Sequence, residues 1–275
     1  MTSTQQGTAL ITGASSGIGA VYADRLARRG FDLVLVARNQ ARLQALADRL
    51  AAQTGRKIET IAADLTNKQD IARVEAAIRT NRDLTLLVNN AGVGATAPLL
   101  ASDIEKMEEM LAINVNALTR LTYAAAPGFV ARGGGTIVNI SSIVAVSPET
   151  LNGVYGGSKA FVLALSQSLQ HELGDKGVRV QAVLPGATAT EFWDIAGLPV
   201  QHLPTEIVMS AEDMVDAALA GLDLGEQVTI PALPSQAEWD AFEAARRAMS
   251  ARLSSSAPAP RYGVAGARAE VALQA

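Results

Sequence analysis

The sequence contains no cysteine and only two histidines, His171 and His202. Without cysteine the chain can form no disulfide, no thiolate nucleophile and no cysteine-ligated metal site. The two histidines stand far apart and have no carboxylate at a motif spacing, so they are predicted to be surface or structural residues. We therefore predict a protein without a bound metal.

Strong charge of one sign and long apolar runs are also lacking. The 23 basic and 27 acidic residues are interleaved and give a net charge of −4, which predicts neither a nucleic acid nor an anionic membrane as partner. The polar start, Met1–Gly7, lacks the basic and apolar regions of a signal peptide. No run approaches the roughly 20 apolar residues that cross a bilayer. These features predict a soluble, cytoplasmic protein.

Short apolar runs alternate with segments of helical periodicity from Thr8 to about Ile230. Helical spacing is clear in Leu43, Leu46, Ala47 and Leu50, which would share one helix face. Strands are predicted at residues 8–12, 31–37, 58–63, 84–89, 136–140, 178–184 and 227–230. Strands that alternate with helices favour right-handed crossovers. The predicted fold is a doubly wound, Rossmann-type α/β fold with a seven-stranded parallel sheet and helices on both faces.

The pattern predicts a single domain over residues 1–253 and a tail over 254–275. Ser102–Glu105 has the spacing of a capping box and predicts the start of a long helix that carries Asn114. Ser235–Glu238 has the same spacing and predicts a C-terminal helix over about 235–252. The tail is rich in alanine, serine and proline, a composition typical of linkers and chain ends.

A glycine-rich turn, Thr12–Gly19, lies between the first predicted strand and the first helix. Its glycines permit a tight turn and the close approach of a pyrophosphate, and the amides of the following helix N-terminus favour anions. An ordinary turn is the alternative, but the position after the first strand favours a dinucleotide site. The predicted cofactor contacts in this turn are Gly13, Ser15, Ser16, Gly17, Ile18 and Gly19.

With Asn89–Gly92, Tyr155-x-x-x-Lys159 and Pro185-Gly186, this turn resembles the short-chain dehydrogenase/reductase superfamily over roughly residues 8–230. The resemblance implies an NAD(P)-dependent enzyme that acts on CH–OH and C=O groups. It implies an adenosine site at Asp64, Leu65, Asn90, Ala91 and Gly92. It also implies a nicotinamide site at Tyr155, Lys159, Pro185, Gly186, Thr188 and Thr190, followed by a substrate lid over about 187–209.

The residues at the end of the second strand indicate whether an enzyme of this kind prefers NAD(H) or NADP(H). NAD enzymes usually place a carboxylate there to accept hydrogen bonds from the ribose 2′-hydroxyl. Ala37 occupies that position, and Arg38 can grip a 2′-phosphate with its planar guanidinium. Many NADP-preferring relatives also carry a basic residue where this chain has Ser16, and Arg38 could be a solvated loop residue. The charge argument predicts NADP(H) in preference to NAD(H).

Tyr155 and Lys159 are four residues apart on a predicted helix, so they share one face. A neighbouring ammonium favours the phenolate, and we expect Lys159 to lower the pKa of Tyr155. Ser142 precedes Tyr155 by 13 residues, which is the family spacing. It would hold the substrate oxygen, with Ser141 as the adjacent alternative.

The resemblance gives Asn114 a further role, in which its backbone carbonyl anchors a water of the proton relay. Asn116 is the neighbour with which it could be confused. The family also commonly forms homodimers or homotetramers, in part through the helices that carry the asparagine and the tyrosine. A homo-oligomer is therefore expected from the resemblance.

The predicted function is that of an NADPH-dependent carbonyl reductase or alcohol dehydrogenase. A hydride moves between the nicotinamide and a ketone or secondary alcohol, with Tyr155 as general acid and base. The apolar lid residues Phe192, Trp193, Ile195, Leu198 and Val200 either line a pocket for a bulky carbonyl compound or pack the lid on the body. The alternative function is a non-catalytic NAD(P)-binding sensor, which the intact Tyr155 and Lys159 disfavour. Epimerases and dehydratases of the superfamily usually have another glycine spacing.

Overall fold

The structure, a computed structural model, describes residues 6–264. Contacts divide the chain into two compact units, Met1–Ala232 and Leu233–Ala275. The second unit contains helix α9 (Gln236–Ser250), which Ser235 caps by accepting a hydrogen bond from the Ala237 amide. The single domain over 1–253 and the tail from residue 254 stay predictions, and residues 265–275 of that tail lie outside the described residues.

A seven-stranded, all-parallel sheet forms the centre of the first unit. Its strand order is β3-β2-β1-β4-β5-β6-β7, so the order reverses between β1 and β4 and creates a switch point there. The strands are β1 (Thr8–Thr12), β2 (Asp32–Ala37), β3 (Ile58–Ala62), β4 (Leu84–Asn89), β5 (Gly135–Ile140), β6 (Val178–Val183) and β7 (Val228–Thr229). Every strand boundary lies within one residue of its prediction, and the doubly wound fold is confirmed.

Helices cover both faces of this sheet. Those of the first unit are α1 (Gly17–Arg28), α2 (Gln40–Thr54), α3 (Lys68–Thr80), α4 (Ile104–Leu111), α5 (Leu118–Ala131), α6 (Gly153–Leu173), α7 (Phe192–Ala196) and α8 (Ala211–Leu224). Alternate strand residues enter two separate cores. Ile11 and Leu35 pack with α1, α2 and α8, whereas Leu10 and Val34 pack with α3, α5 and α6. The apolar runs are therefore buried on both faces, as parallel strands require.

The predicted helix from Ser102 differs from the structure in two respects. Its N-cap is Asp103, whose carboxylate accepts from the Glu105 amide, because the Ser102 hydroxyl closes the preceding 3-10 turn by donating to the Leu99 carbonyl. The helix is also interrupted, since Ala112–Ala117 forms a π-helical turn between α4 and α5. Such turns are rare and occur frequently at functional sites. Asn114 lies within this one.

Within residues 6–264 no helix has the length and apolar character needed to cross a membrane. The same residues contain no group of three metal-ligating side chains placed to hold an ion.

Candidate active site

A cavity of about 1270 Å³ opens at the carboxyl ends of β1, β4, β5 and β6, beside the switch point of the sheet. Ligands of open α/β sheets bind at this location. The cavity brings together all but two of the predicted site residues, including Ser142, Tyr155 and Lys159. The others that line it are Gly13, Ser15, Ser16, Gly17, Ile18, Arg38, Asp64, Leu65, Asn90, Ala91, Gly92, Pro185, Gly186, Thr188 and Thr190. Gly19 and Asn114 do not line it.

The glycine-rich turn forms one end of this cavity. Gly13 and Gly17 have positive φ angles of 65° and 52°, a conformation that glycine adopts without strain. The first turn of α1 leaves amide groups without helical partners, and the Ser16 side chain does not cap them. Gly19 packs instead of lining the cavity, because a Cβ there would lie 2.5 Å from Asn90 Nδ2 and even closer to the Gly13 carbonyl. The turn therefore offers open amides to an anion.

Hydrogen bonds hold this turn to the end of β4. The Thr12 hydroxyl accepts from the amides of Asn90 and Ala91, both at 3.0 Å. The Asn90 side chain in turn donates to the carbonyls of Thr12 and Gly13, at 2.9 and 3.2 Å. Thr12 was not among the predicted site residues, although it is the first residue of the glycine motif. Its side chain fixes the distance between the two loops that line this part of the cavity.

The far end of the cavity lies beyond β2 and β3. Arg38 is exposed at its rim, and Asn39 caps α2 by accepting from the Arg42 amide. Arg42, which the sequence did not single out, donates to Glu191 at 2.8 Å. One carboxylate oxygen of Asp64 accepts from the amide and hydroxyl of Thr66, at 2.9 and 2.8 Å. This end therefore presents the accessible guanidinium of Arg38 and the carboxylate of Asp64, which its own loop orients.

Ser142 and Tyr155 meet at the other end of the cavity, in the space between β5 and α6. Both side chains are buried and lie close enough for the serine hydroxyl to affect the pKa of the phenol, and the serine hydroxyl also donates to the Pro185 carbonyl at 3.4 Å. The adjacent Ser141 points elsewhere, since its hydroxyl donates to the Lys159 carbonyl at 2.8 Å. Asn152 fixes the start of α6 by accepting from the Tyr155 amide and donating to the Ala97 carbonyl. The geometry thus pairs Tyr155 with Ser142.

Lys159 lies one turn along α6 and is buried as well. Its ammonium donates to the Ile140 carbonyl at 3.0 Å and lies 5.8 Å from the centre of the Tyr155 ring. A Cβ at Gly92 would lie 3.5 Å from Lys159 Nζ, so the backbone of residue 92 approaches the lysine closely. A side chain at residue 92 would narrow the space in front of the ammonium.

The expected lowering of the tyrosine pKa is wrong for this structure. Burial raises the pKa of Tyr155 to about 12, and the neighbouring Ser142 hydroxyl opposes that rise only in part. Burial also lowers the pKa of Lys159 to about 8, because the low-dielectric surroundings disfavour its charge. Desolvation is therefore the largest influence on the pKa of each group. At neutral pH the phenol is therefore protonated.

Asn114 is buried behind the cavity, within the π turn. Its side chain donates to the Val93 carbonyl and to the Ser158 hydroxyl, at 2.9 and 3.1 Å, and accepts from the Val93 amide. Ser158 donates to the Tyr155 carbonyl at 2.8 Å. The side chain of Asn114 thus connects the π turn to α6 and to the loop after β4. Ser158, which was not predicted, is the connecting residue on α6.

The segment after β6 forms a lid whose two ends are joined. The Ala189 amide donates to the Met209 carbonyl, and the Met209 amide donates to the Ala187 carbonyl. Between these ends, α7 is tied to the body because Thr96 donates through its amide and its hydroxyl to the Ala196 carbonyl. Of the predicted lid residues, Phe192, Trp193, Ile195 and Leu198 line the cavity. Val200 does not.

The fold and the site define a dinucleotide-binding oxidoreductase, with a phosphate turn at one end of the cavity and a buried serine–tyrosine pair at the other. The family profile for short chain dehydrogenase matches residues 7–196. The chain therefore belongs to the short-chain dehydrogenase family, and it is an oxidoreductase of that family. The superfamily inferred from the motifs is confirmed.

Similar proteins of known name support this assignment. A short-chain dehydrogenase from Sphingobium yanoikuyae, solved in complex with NADPH, is 49% identical with a TM-score of 0.89, over 92% of this chain and 98% of that one. The bulky-bulky ketone specific alcohol dehydrogenase from Comamonas testosteroni is 44% identical with a TM-score of 0.87, over 94% and 99% of the two chains. The 17-beta-hydroxysteroid dehydrogenase type 3 of Danio rerio is 33% identical over 80% of this chain and 71% of its own.

Proposed function

We propose that this protein is an NADPH-dependent carbonyl reductase or alcohol dehydrogenase that interconverts a ketone and a secondary alcohol. The observation that carries the proposal is the buried pair of Ser142 and Tyr155 in the same cavity as the glycine-rich turn. The similarity to an NADPH-bound dehydrogenase and to a ketone-specific alcohol dehydrogenase supports both the cofactor and the substrate class.

The residues of the cavity fit a nicotinamide dinucleotide phosphate. The open amides of the first turn of α1 would hold the pyrophosphate, and Arg38 at the rim would pair with the 2′-phosphate. The adenosine would lie against Asp64, Leu65, Asn90, Ala91 and Gly92. The nicotinamide and its ribose would lie against Lys159, Pro185, Gly186, Thr188 and Thr190. When bound, the nicotinamide would supply the hydride that reduces a carbonyl carbon.

The side chains around Tyr155 would supply the proton and hold the oxygen. The Ser142 hydroxyl would donate to the carbonyl oxygen and stabilise the charge that develops there. Tyr155 would transfer its proton to that oxygen, since burial keeps the phenol protonated at neutral pH. The Lys159 ammonium, and a water held near Asn114, would return a proton to the phenolate. In the reverse direction the same groups would remove a proton from the alcohol.

The walls around the Ser142–Tyr155 pair favour an apolar substrate. Val144 and Leu151 line one side of the cavity, and Phe192, Ile195 and Leu198 line the lid side. Apolar walls with a few convergent polar groups are typical of sites for small hydrophobic molecules. We therefore propose a bulky, hydrophobic ketone as the substrate class.

The first test is the affinity for NADPH and NADH in the wild type and in Arg38→Ala. Hydrogen bonds to a charged group contribute about 1.5–3 kcal/mol, so the variant is expected to bind NADPH about ten- to a hundredfold more weakly. Its affinity for NADH should change little. Titration of protein fluorescence with each cofactor measures both constants. Arg82→Ala, which replaces an exposed arginine outside the cavity, is the matched control.

Equal affinity of the wild type for both cofactors would contradict the choice of NADPH. Tight binding of NADPH without turnover of any ketone or secondary alcohol would instead favour a non-catalytic sensor.

The exposed apolar side chains of α4, α5 and α6 support a homo-oligomer. Leu111, Tyr123 and Phe161 are 40%, 68% and 40% exposed in the isolated chain. We expect light scattering to give a dimer or tetramer for the wild type. Because a buried unpaired charge is costly, Tyr123→Arg combined with Phe161→Arg should shift the protein to a monomer. Leu224→Arg, at an exposed leucine on α8, is the control. A monomeric wild type would contradict the expectation.

A further inference from the structure

Phe192 lies at the start of the lid helix and packs directly on the proposed catalytic tyrosine. The two ring centres are 5.8 Å apart, and the planes are tilted by 46°. Trp193 supports the same segment from behind, because it is buried and its indole N–H donates to the Thr188 carbonyl at 2.9 Å. Phe192 itself is half-buried and faces the cavity. Its ring is therefore a part of the lid that a substrate at Tyr155 would meet.

The position of this ring depends on the absence of a side chain at Gly94. A Cβ at residue 94 would lie 2.7 Å from Phe192 Cε2 and closer still to Cζ, both shorter than real Cβ contacts. The φ angle of Gly94 is not positive, so the backbone itself would accept alanine there. Glycine at this position therefore has a packing role. It provides the seat that the Phe192 ring occupies.

This seat lies where the substituents of a ketone must fit. A carbonyl oxygen held by Ser142 and Tyr155 would place its two substituents beside the Tyr155 ring, in the space bounded by Val144, Leu151 and the lid. Phe192 packs against that same apolar cluster. Its ring therefore limits the width of the space on the lid side of the carbonyl carbon.

We propose that Phe192, seated on Gly94, is the residue that sets the size of the ketone substituent accepted on the lid side of Tyr155. The inference rests on the proposed function, because it concerns the substrate that this site would take. It assigns specificity to one side chain of the lid and one glycine after β4.

The proposal is tested by a double-mutant cycle on two ketones of different width. NADPH-dependent reduction of acetophenone and benzophenone is measured for the wild type, Phe192→Ala, Gly94→Ala and the double variant. Asp194→Ala, an exposed residue of the same helix that does not line the cavity, controls for disturbance of the lid. Thermal midpoints of all five proteins establish that they are folded.

Phe192→Ala should raise the ratio of kcat/KM for benzophenone to that for acetophenone by about tenfold, a change typical of altered space in an apolar pocket. Gly94→Ala should push the ring toward Tyr155 and lower the benzophenone value by about tenfold. The same glycine change in the Phe192→Ala background should have an effect below about twofold, since no ring is left to displace.

Two results would overturn the inference while leaving the proposed function intact. One is an equal effect of Phe192→Ala on both ketones, and the other is an equal effect of Gly94→Ala in both backgrounds. A wild type that reduces neither ketone, nor oxidises the corresponding alcohols, would instead defeat the proposed function, and the inference with it.

Discussion

Replacing Tyr155 with phenylalanine is expected to lower kcat for ketone reduction by about a thousandfold, because general acid catalysis by a positioned side chain contributes about 10²- to 10⁴-fold. The ring and its packing against Phe192 remain in this variant, and only the hydroxyl that meets Ser142 is lost. NADPH affinity should therefore change by less than about threefold, within the loss of one hydrogen bond. Steady-state kinetics and cofactor titration on the same preparation measure the two quantities.

Tyr22→Phe is the matched control for this substitution. Tyr22, a residue of α1, is fully buried in the core, and its hydroxyl has no hydrogen-bond partner within residues 6–264. Removal of an unsatisfied buried hydroxyl leaves stability unchanged or raises it. We expect wild-type kinetics and an unchanged or higher thermal midpoint. Full activity of Tyr155→Phe, or an equal loss in Tyr22→Phe, would refute the assignment of Tyr155 as the proton donor.

The parallel strands could be predicted from the sequence because each is a short apolar run with a polar or glycine boundary. Leu84–Asn89, for example, follows charged residues and ends in asparagine at the site. Because these strands are buried on both faces, they lack the alternation of polar and apolar residues that marks a half-exposed strand. The glycine-rich turn could be predicted from its position, because its place between β1 and α1 distinguishes it from an ordinary turn.

Features that depend on distant contacts were not predictable in this way. The π turn at Ala112–Ala117 carries Asn114, whose hydrogen bond to Ser158 on α6 is a distant contact that local helix propensity does not encode. The ion pair of Arg42 with Glu191 joins residues 149 positions apart. The seat of Phe192 on Gly94 likewise joins the loop after β4 to the lid. Each of these contacts is visible only after the sheet has brought the loops together.

The pKa of Tyr155 illustrates a different limit. The spacing of Tyr155 and Lys159 correctly placed both on one face of α6, and a nearby cation lowers a phenol pKa in water-like surroundings. The structure buries both groups, and desolvation then acts on each against its charged form. Sequence spacing identifies the neighbours of a titratable group. It does not give the local dielectric around them, and the low local dielectric is what raises the pKa of Tyr155 here.

Lys159→Met is expected to abolish most activity and yet raise stability at neutral pH. The pKa of Lys159 falls from 10.5 to about 8 on burial, which corresponds to about 3 kcal/mol of unfavourable charge burial below pH 8. Methionine removes that cost but also leaves the Ile140 carbonyl without its donor, a loss of about 1–2 kcal/mol. The free energy of unfolding at pH 7 should therefore rise by about 1–2 kcal/mol.

A change in packing alone would alter the free energy of unfolding equally at every pH, whereas removal of a buried charge would not. Between pH 8 and 10.5 the unfolded wild type binds more protons than the folded one, so wild-type stability gains from Lys159 as the pH rises. The advantage of the variant is therefore complete below pH 8 and is lost as the pH approaches 10.5. Urea unfolding at several pH values measures the difference.

Lys57→Met provides the comparison for both the activity and the stability measurements. Lys57 is 74% exposed and pairs with Glu59 on the surface, so its replacement should change stability by less than about 0.5 kcal/mol and leave kcat unchanged. A constant stability difference between Lys159→Met and the wild type from pH 7 to 10.5 would show that burial leaves the pKa of Lys159 unchanged, and the predicted gain in stability would be wrong. A difference that instead keeps changing by about 1.4 kcal/mol per pH unit down to pH 7 would show that the buried lysine is uncharged there. The proton return proposed for Lys159 would then be wrong, because a neutral amine at pH 7 has no spare proton to pass to the phenolate.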